Sequence, residues 1–344
     1  QISQAQAEQA LKQPVRIAPP PSSTNKAPYY TDYVKAQVID KLKDRMTEDE
    51  VAESGFRIFT ALDLVMNSAA QRAVETGVVA LEKNTPGVEL QGALASVDHR
   101  DGAIRVLIGG KNYRQSTFNR ILNMKRQVGS TFKPVVYLAA LLKGQDPNGV
   151  PYGPVYPLED EPWKLTYDRG KQKWAPKNYT KDFKGWISFR SALANSINVT
   201  AAKLGVAVGF PEIAEAGQML GIETPIPLVP SVSLGVLELS PVELLKVYAT
   251  LANHGSRDEL TVIRAITRDD GTPYAHFQLE PKEVLSPVVA DLMTDLLQSV
   301  FTEGTAKDAH AMGFERQAAG KTGTTSNHRD AWFAGYTPEL TTVV

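Results

Sequence analysis

Gly129-Ser130-Thr131-Phe132-Lys133-Pro134-Val135-Val136-Tyr137-Leu138-Ala139-Ala140-Leu141-Leu142 sets a serine and a lysine three residues apart at the head of a stretch that is apolar nearly all round. Such a circumference predicts a helix over Thr131–Leu142, buried inside a domain and stopping at Lys143-Gly144. At a helix start the two side chains share one face and can touch, so an amine could take the hydroxyl proton as Ser130 attacks a carbonyl. Lys133 can do this only when neutral, which requires burial or a second cation close by. Gly129 leaves room for backbone approach, and the helix N-terminus aims free N–H groups and positive dipole at a developing oxyanion. Alone the pattern is weak, because about one Ser-x-x-Lys arises by chance in a chain of this size. Ser23-Thr24-Asn25-Lys26 repeats it inside a proline-rich linker, with no helix to hold it.

Outward from this stretch, Ala93–Val97 and Ala103–Ile108 read as two apolar strands joined at Asp101-Gly102, a hairpin that starts a sheet. Ala318–Thr325, Ala331–Tyr336 and Leu340–Val344 read as three more strands at the far end of the chain. Helical patterns fill the interval at Ser188–Asn195, Val199–Val208, Ser240–Asn253 and Pro287–Phe301. The residue pattern thus predicts one mixed sheet closed by chain-distant segments, with helices around it. Pro147–Tyr179, rich in Pro, Tyr, Gly and Trp without a period, reads as a surface excursion near a binding groove. Upstream, Tyr33–Arg45 and Leu62–Leu81 are amphipathic helices, the second capped by Thr60 or Asp63, with a strand at Phe56–Thr60 between them. Asn84–Gly87 ends this small module. Pro14–Pro28 reads as a linker, and Gln1–Gln13 as a polar helix-forming stretch rather than a signal peptide.

Two further clusters could carry chemistry. Ser196-Ile197-Asn198 lies between two helices, where a loop tip projects a hydroxyl and an amide into a groove, although a helix cap is the plainer explanation. In Gly320-Lys321-Thr322-Gly323-Thr324-Thr325, strand alternation points Lys321 and Gly323 one way and Thr322 and Thr324 the other. Gly323 there leaves the backbone open to a peptide, and cation, hydroxyls and open edge together suit a peptide ending in a free carboxylate.

Ser-x-x-Lys, Ser-x-Asn and Lys-Thr-Gly in this order form the signature set of active-site serine penicillin-recognising enzymes. The resemblance extends through Gly109-Gly110, Phe118-Asn119-Arg120, Ala192–Asn198, Ala249–Gly255 and Arg329–Pro338, covering Ala93 to Val344, and it is to class A penicillin-binding proteins. It implies an α+β penicillin-binding protein/β-lactamase-like transpeptidase fold: a central antiparallel sheet with helices on both sides, plus a small N-terminal linker module. It implies three parts: 1–27, the tail of a glycosyltransferase domain and linker; 28–92, a small α/β linker module; and 93–344, a D,D-transpeptidase domain that is C-terminally incomplete. It also implies a nucleophile at Ser130, a proton acceptor at Lys133, a proton relay at Ser196 and a ligand for the substrate amide at Asn198. Lys321 would hold the relay and the substrate charge, and Thr322 and Thr324, with Gly323 between them, would bind the terminal carboxylate. The backbone N–H groups of Ser130 and Thr324 would form the oxyanion hole. The implied partners are peptidoglycan stem peptides ending in D-Ala-D-Ala, β-lactams as covalent inhibitors, and other cell-wall synthesis proteins. The implied location is the extracytoplasmic face of the bacterial cytoplasmic membrane, with an N-terminal anchor absent from this chain. No cofactor and no metal are implied.

Composition narrows the alternatives. A formal net charge of -1, without long runs of one sign, leaves no nucleic-acid footprint. The chain has no cysteine, so thiolate catalysis and cysteine-bound metals are out. His99, His254, His276, His310 and His328 lack paired metal spacing and read as surface or capping residues. His328-Arg329-Asp330 matches part of a kinase catalytic loop but has no glycine-rich partner. A β-lactamase-like hydrolase or a non-catalytic β-lactam sensor on the same fold would share the three motifs. The hydrolase, however, needs a water-activating carboxylate, and Glu243 reads as part of a capping box, Ser240-Pro241-Val242-Glu243.

Overall fold

The structure, a computed structural model, describes residues 3–4, 25–277, 281–325 and 329–344. Ser23, His328, the prolines 19–21 and nearly all of the amino-terminal helical stretch lie outside these described residues.

The sheet joins the two ends of the chain. Strands β2 (Leu94–Asp98) and β3 (Ala103–Ile108) form the hairpin, and β8 (Ala319–Thr324), β9 (Ala331–Tyr336) and β10 (Leu340–Val343) follow near the end. Their spatial order is β8-β9-β10-β2-β3. Every neighbouring pair is antiparallel, so the mixed sheet expected from the residue pattern gives way to the antiparallel one the resemblance implied. The pairing Leu340↔Asp98 through Val343↔Ala95 makes the closure, and β8 is left at one edge. At the hairpin, Gly102 takes φ +62° and the Asp101 carboxylate accepts from the Ala103 N–H at 3.0 Å.

Helices cover both faces. Val106 and Ile108 of β3 pack with Val74 and Val78 of α2 (Leu64–Glu82) on one side. On the other, Ala95, Val97 and Leu107 join the main core with α3 (Lys133–Lys143), α6 (Pro241–Ala252) and α7 (Pro287–Thr302). α3 is buried from Lys133 to Ala140, as its apolar circumference requires, and ends at Gly144 with φ +86°. The turn before it, Gly129–Phe132, is 3-10 rather than α-helical, so the α-helix starts at Lys133 and not Thr131. Ser240 and Glu243 do form the capping box at the head of α6.

α1 (Pro28–Leu42) begins five residues earlier than Tyr33, because Pro28 is preorganised for a first turn, and buries Tyr29, Tyr30, Val34, Val38 and Leu42 in the main core. The Tyr30 hydroxyl donates to Ile104 O at 2.8 Å. Asp63, not Thr60, caps α2, accepting from the N–H groups of Val65 and Met66. Its inward face is Asn67, Val74 and Val78, whereas Leu64 and Leu81 are exposed. The strand β1 (Arg57–Thr60) pairs with β6 (Ile263–Thr267), which pairs in turn with β7 (Pro273–His276). The excursion is more regular than its composition suggested: β4 (Pro157–Asp160) pairs with β5 (Gly185–Ser188), and Leu165–Tyr167 forms a hairpin with Gln172–Trp174.

Tyr30→Ala removes a fully buried ring and its hydroxyl bond, and is expected to cost about 3–5 kcal/mol. A urea titration checks it: the midpoint should fall with the slope unchanged, and an unmoved midpoint would mean that α1 is not part of the domain core.

Candidate active site

The nucleophile candidate sits on a turn pinned from several directions. Gly129 takes φ +53° and donates its N–H to Gly235 O at 3.1 Å. Thr131 Oγ1 donates to Val128 O at 2.7 Å, the Tyr248 hydroxyl of α6 donates to Thr131 O at 2.9 Å, and Trp332 Nε1 of β9 donates to Gln127 O at 3.0 Å. The edge strand β8 lies directly against this turn. A β-carbon on Gly129 would stand 2.7 Å from Thr324 O, one on Gly323 would stand 2.7 Å from Thr131 Cγ2 and 2.9 Å from Val128 O, and one on Gly235 would stand 1.9 Å from Gly129 O. Gly323 therefore makes room for the protein's own turn and not, as its place in the strand suggested, for a bound peptide. Gly235 was not singled out from sequence, where a lone glycine gives no sign of the segment it must touch.

Ser196 occupies an unusual backbone position. α4 (Phe189–Ala194) ends in a Schellman motif, with Ile197 N–H donating to Ala192 O at 3.0 Å and Ser196 N–H donating to Leu193 O at 3.1 Å. The left-handed residue that such a motif requires is Ser196 itself, at φ +57°, where glycine is the unstrained choice. The next helix, α5 (Asn198–Val208), starts two residues on.

Lys133 and Lys321 are both fully buried. The Lys133 amine donates to Ser196 O at 2.5 Å and to Asn198 Oδ1 at 2.7 Å, and lies 3.1 Å from Ser196 Oγ. These bonds fix the amine on Ser196 and Asn198 rather than on Ser130, the partner that the three-residue spacing suggested. Asn198 also donates from Nδ2 to Lys177 O at 2.9 Å, so its amide is engaged at both ends and keeps one N–H for a ligand. Lys321 donates to Thr322 O at 3.1 Å rather than to Ser196. Burial, reinforced by the positive charge of Lys321, holds the Lys133 amine well below the usual lysine range, and burial alone brings Lys321 down to about 7.

One cleft of about 820 Å³ collects Ser130, Ser196, Asn198, Thr322 and Thr324 along its walls, with Lys177, Asn178 and Lys184 from the excursion side. Thr322 Oγ1 is 2.6 Å from Thr305 Oγ1, and Thr324 is exposed to the opening. The Thr324 carbonyl faces Gly129, so this residue turns its backbone polar groups away from β9 and toward the Ser130 turn. No Asp or Glu is among the described residues lining the cleft. Glu243 lies elsewhere, buried, with one oxygen on Ser240 and the other on the N–H groups of Glu223 and Thr224. Of the histidines, His254, His276 and His310 are exposed. His99 is instead buried, with Nδ1 3.1 Å from Thr341 Oγ1 and Nε2 3.1 Å from Pro338 O, on the sheet rather than in the cleft.

A turn-borne serine and an edge strand line one cleft, with a buried amine pair behind them, an arrangement that suits acyl transfer. Residues 92–344 match the family described as the penicillin binding protein transpeptidase domain, and the chain belongs to it as the transpeptidase part of a class A penicillin-binding protein. It is 33% identical over 338 residues to penicillin-binding protein 1B of Vibrio cholerae, covering 98% of this chain and 42% of that protein. It is 37% identical over 263 residues to penicillin-binding protein 1A of Aquifex aeolicus, covering 74% of this chain and 34% of that protein. The chain thus spans under half the length of these relatives. Among solved structures, penicillin-binding protein 1A of Haemophilus influenzae shares the fold with a TM-score of 0.82 at 21% identity, covering 99% of this chain and 68% of that one. PonA1 of Mycobacterium tuberculosis in complex with penicillin V does so with a TM-score of 0.72 at 24% identity, covering 92% and 82%.

The depressed amine has a consequence for stability. Between about 7 and 10.5 Lys321 is neutral in the folded chain but charged in the unfolded one, so stability rises with pH through that window, and below it the full cost is present. At about 1.4 kcal/mol per pKa unit that cost is on the order of 5 kcal/mol. Lys321→Met is therefore expected to stabilise the chain against urea, most at pH below about 7 and progressively less toward pH 10. Equal destabilisation at both ends of the range would show that Lys321 is held charged by a partner.

Proposed function

We propose that this chain cross-links peptidoglycan stem peptides by serine acyl transfer on D-Ala-D-Ala donors, and that β-lactams acylate the same serine. The observation that carries this reading is the single cleft lined by Ser130, Ser196, Asn198, Thr322 and Thr324, with the buried Lys133 amine bonded to Ser196 and Asn198 behind its wall. Lys133, whose amine burial pushes toward the neutral form, takes the Ser130 hydroxyl proton as Oγ attacks the penultimate D-Ala carbonyl carbon. A neutral amine still has two N–H groups for Ser196 O and Asn198 Oδ1, and its lone pair is then free for that proton. The N–H groups of Ser130 and Thr324 receive the oxyanion. Removing one such donor typically costs a factor of about 10² to 10³. As the C–N bond breaks, the proton passes from Lys133 through Ser196 to the leaving D-Ala amine.

Thr322 and Thr324 bind the terminal carboxylate, whose negative charge draws Lys321 behind them toward its protonated form, and the remaining N–H of Asn198 meets the substrate amide. An acceptor amine then attacks the ester on Ser130 and returns its proton by the same relay. Water in place of that amine gives D-Ala-D-Ala carboxypeptidase activity. Deacylation of a penicilloyl ester needs a positioned water and a base, and the absence of a general base typically costs a factor of about 10² to 10⁴. With no carboxylate among the described lining residues, the drug inhibits rather than being consumed.

By the same reading the protein works at the extracytoplasmic face of the bacterial cytoplasmic membrane alongside other cell-wall synthesis proteins. Residues 1–27 belong to a preceding glycosyltransferase domain and linker, and 28–92 connect the two. No described helix is long and apolar enough to cross a membrane.

Labelled penicillin followed by peptide mapping tests the proposal. A single adduct is expected on Ser130, lost in Ser130→Ala, slowed by a factor of about 10² or more in Lys133→Ala, and retained through a chase with unlabelled drug. A label on Ser196 or Ser23 would overturn the assignment, release within seconds would indicate a β-lactamase-like hydrolase, and a stable adduct without turnover of a stem-peptide pair would indicate a sensor.

A further inference from the structure

α5 begins without a cap of its own: Ile197, the residue before Asn198, offers its first amides no side-chain acceptor. The acceptor comes from the excursion. Asn178, 5% exposed, accepts through Oδ1 from the N–H groups of both Asn198 and Val199, each at 3.1 Å. Its Nδ2 donates to Asp160 Oδ1 at 2.8 Å and to Asp182 O at 3.0 Å. Asp160, fully buried at the end of β4, accepts from Lys184 N–H at 2.9 Å through its other oxygen. These partners fix the amide orientation, since the flipped Asn178 would turn its NH₂ toward two N–H donors and its oxygen toward a carboxylate. The adjacent Lys177 carbonyl takes the Asn198 side-chain amide at 2.9 Å. Asn198, the residue that receives the Lys133 amine, is thus gripped by its backbone and its side chain from one two-residue segment.

We propose that Asn178, oriented by Asp160, is a positioning residue for acylation of Ser130: it caps α5 from the excursion and so fixes Ser196 and Asn198 against the Lys133 amine. This inference rests on the serine acyl-transfer reading above. It assigns the excursion a part in the chemistry that its surface position hides, because the Lys133 acceptors sit at a helix start whose cap is borrowed from it.

The test compares Asn178→Ala, Asp160→Asn, Asn178→Asp and the exchange Asp160→Asn/Asn178→Asp in the chain as it stands. It measures the acylation step at saturating labelled penicillin, the thermal transition, and amide hydrogen exchange at Asn198 and Val199. Asn178→Ala should slow acylation about tenfold or more and speed exchange at both amides, with the fold retained. Asn178→Asp opposes two carboxylates and Asp160→Asn opposes two amides, so each alone should also slow acylation. The exchange again puts an acceptor before the helix and a donor against its partner, leaving only the bond to Asp182 O unmade, and should acylate clearly faster than either single. Parent-like acylation in Asn178→Ala overturns the proposal. So does an exchange variant as slow as its two singles while both amides are protected. If the parent takes its label elsewhere than on Ser130, the acyl-transfer reading falls and this role falls with it; parent labelling at Ser130 with any of the contrary variant results sinks the positioning role alone.

Discussion

The site depends on one close backbone approach, that of the edge strand β8 to the turn carrying Ser130. Two glycines permit it, since β-carbons at Gly129 or Gly323 would each stand 2.7 Å from an atom across the contact, and a third, Gly235, admits the turn's other neighbour, where a β-carbon would stand 1.9 Å from Gly129 O. Two of the three also take positive φ, so an alanine there would meet both a clash and backbone strain. The approach brings the Thr324 backbone to the Ser130 turn and sets Thr322 and Thr324 on the cleft wall. The antiparallel sheet serves this contact by fixing the register of β8 on β9, and Trp332 of β9 ties the same register to Gln127, three residues before Ser130.

Around that contact the protein keeps two lysines in its interior at a cost to stability. Neither has a carboxylate within salt-bridge distance among the described residues; Lys133 is held by a carbonyl, an amide and a hydroxyl oxygen, and Lys321 by a carbonyl alone. Such acceptors satisfy N–H donors without favouring the charged form as a carboxylate would, so burial prevails and the amines are pushed toward neutrality. The Ser196 backbone, held left-handed at a helix terminus, is a second local cost in the same cleft. Strained backbone and buried amines held without a carboxylate in one place are what a site organised for proton transfer, and not for maximal stability, would carry.

Local rules were legible from sequence. The buried helix after Ser130, the hairpin at Asp101-Gly102, the Asp63 cap and the Ser240–Glu243 capping box each follow from residues within a few positions of one another. What escaped were relations across the chain. Nothing in Leu234-Gly235-Val236 says that it must meet Gly129, and nothing in Pro176-Lys177-Asn178 says that it caps a helix twenty residues on. The Ser-x-x-Lys spacing says that Ser130 and Lys133 can touch, but the hydrogen bonds of the lysine go to a carbonyl and an amide that only tertiary structure supplies. Likewise Gly323 reads locally as an opening for a ligand and is in fact filled by Thr131 and Val128. The excursion misled by composition: Pro and Gly mark its turns, while its short strands are recognisable only through the partners they pair with.

The central claim is that the Ser130 turn and the β8 edge together form one acyl-binding centre. A crystal structure of the penicillin-treated chain tests it most directly. The account predicts an ester on Ser130 Oγ whose carbonyl oxygen lies about 2.7–3.1 Å from both the Ser130 and the Thr324 backbone nitrogens. An ester carbonyl turned away from Thr324, or carried by any other side chain, would contradict it.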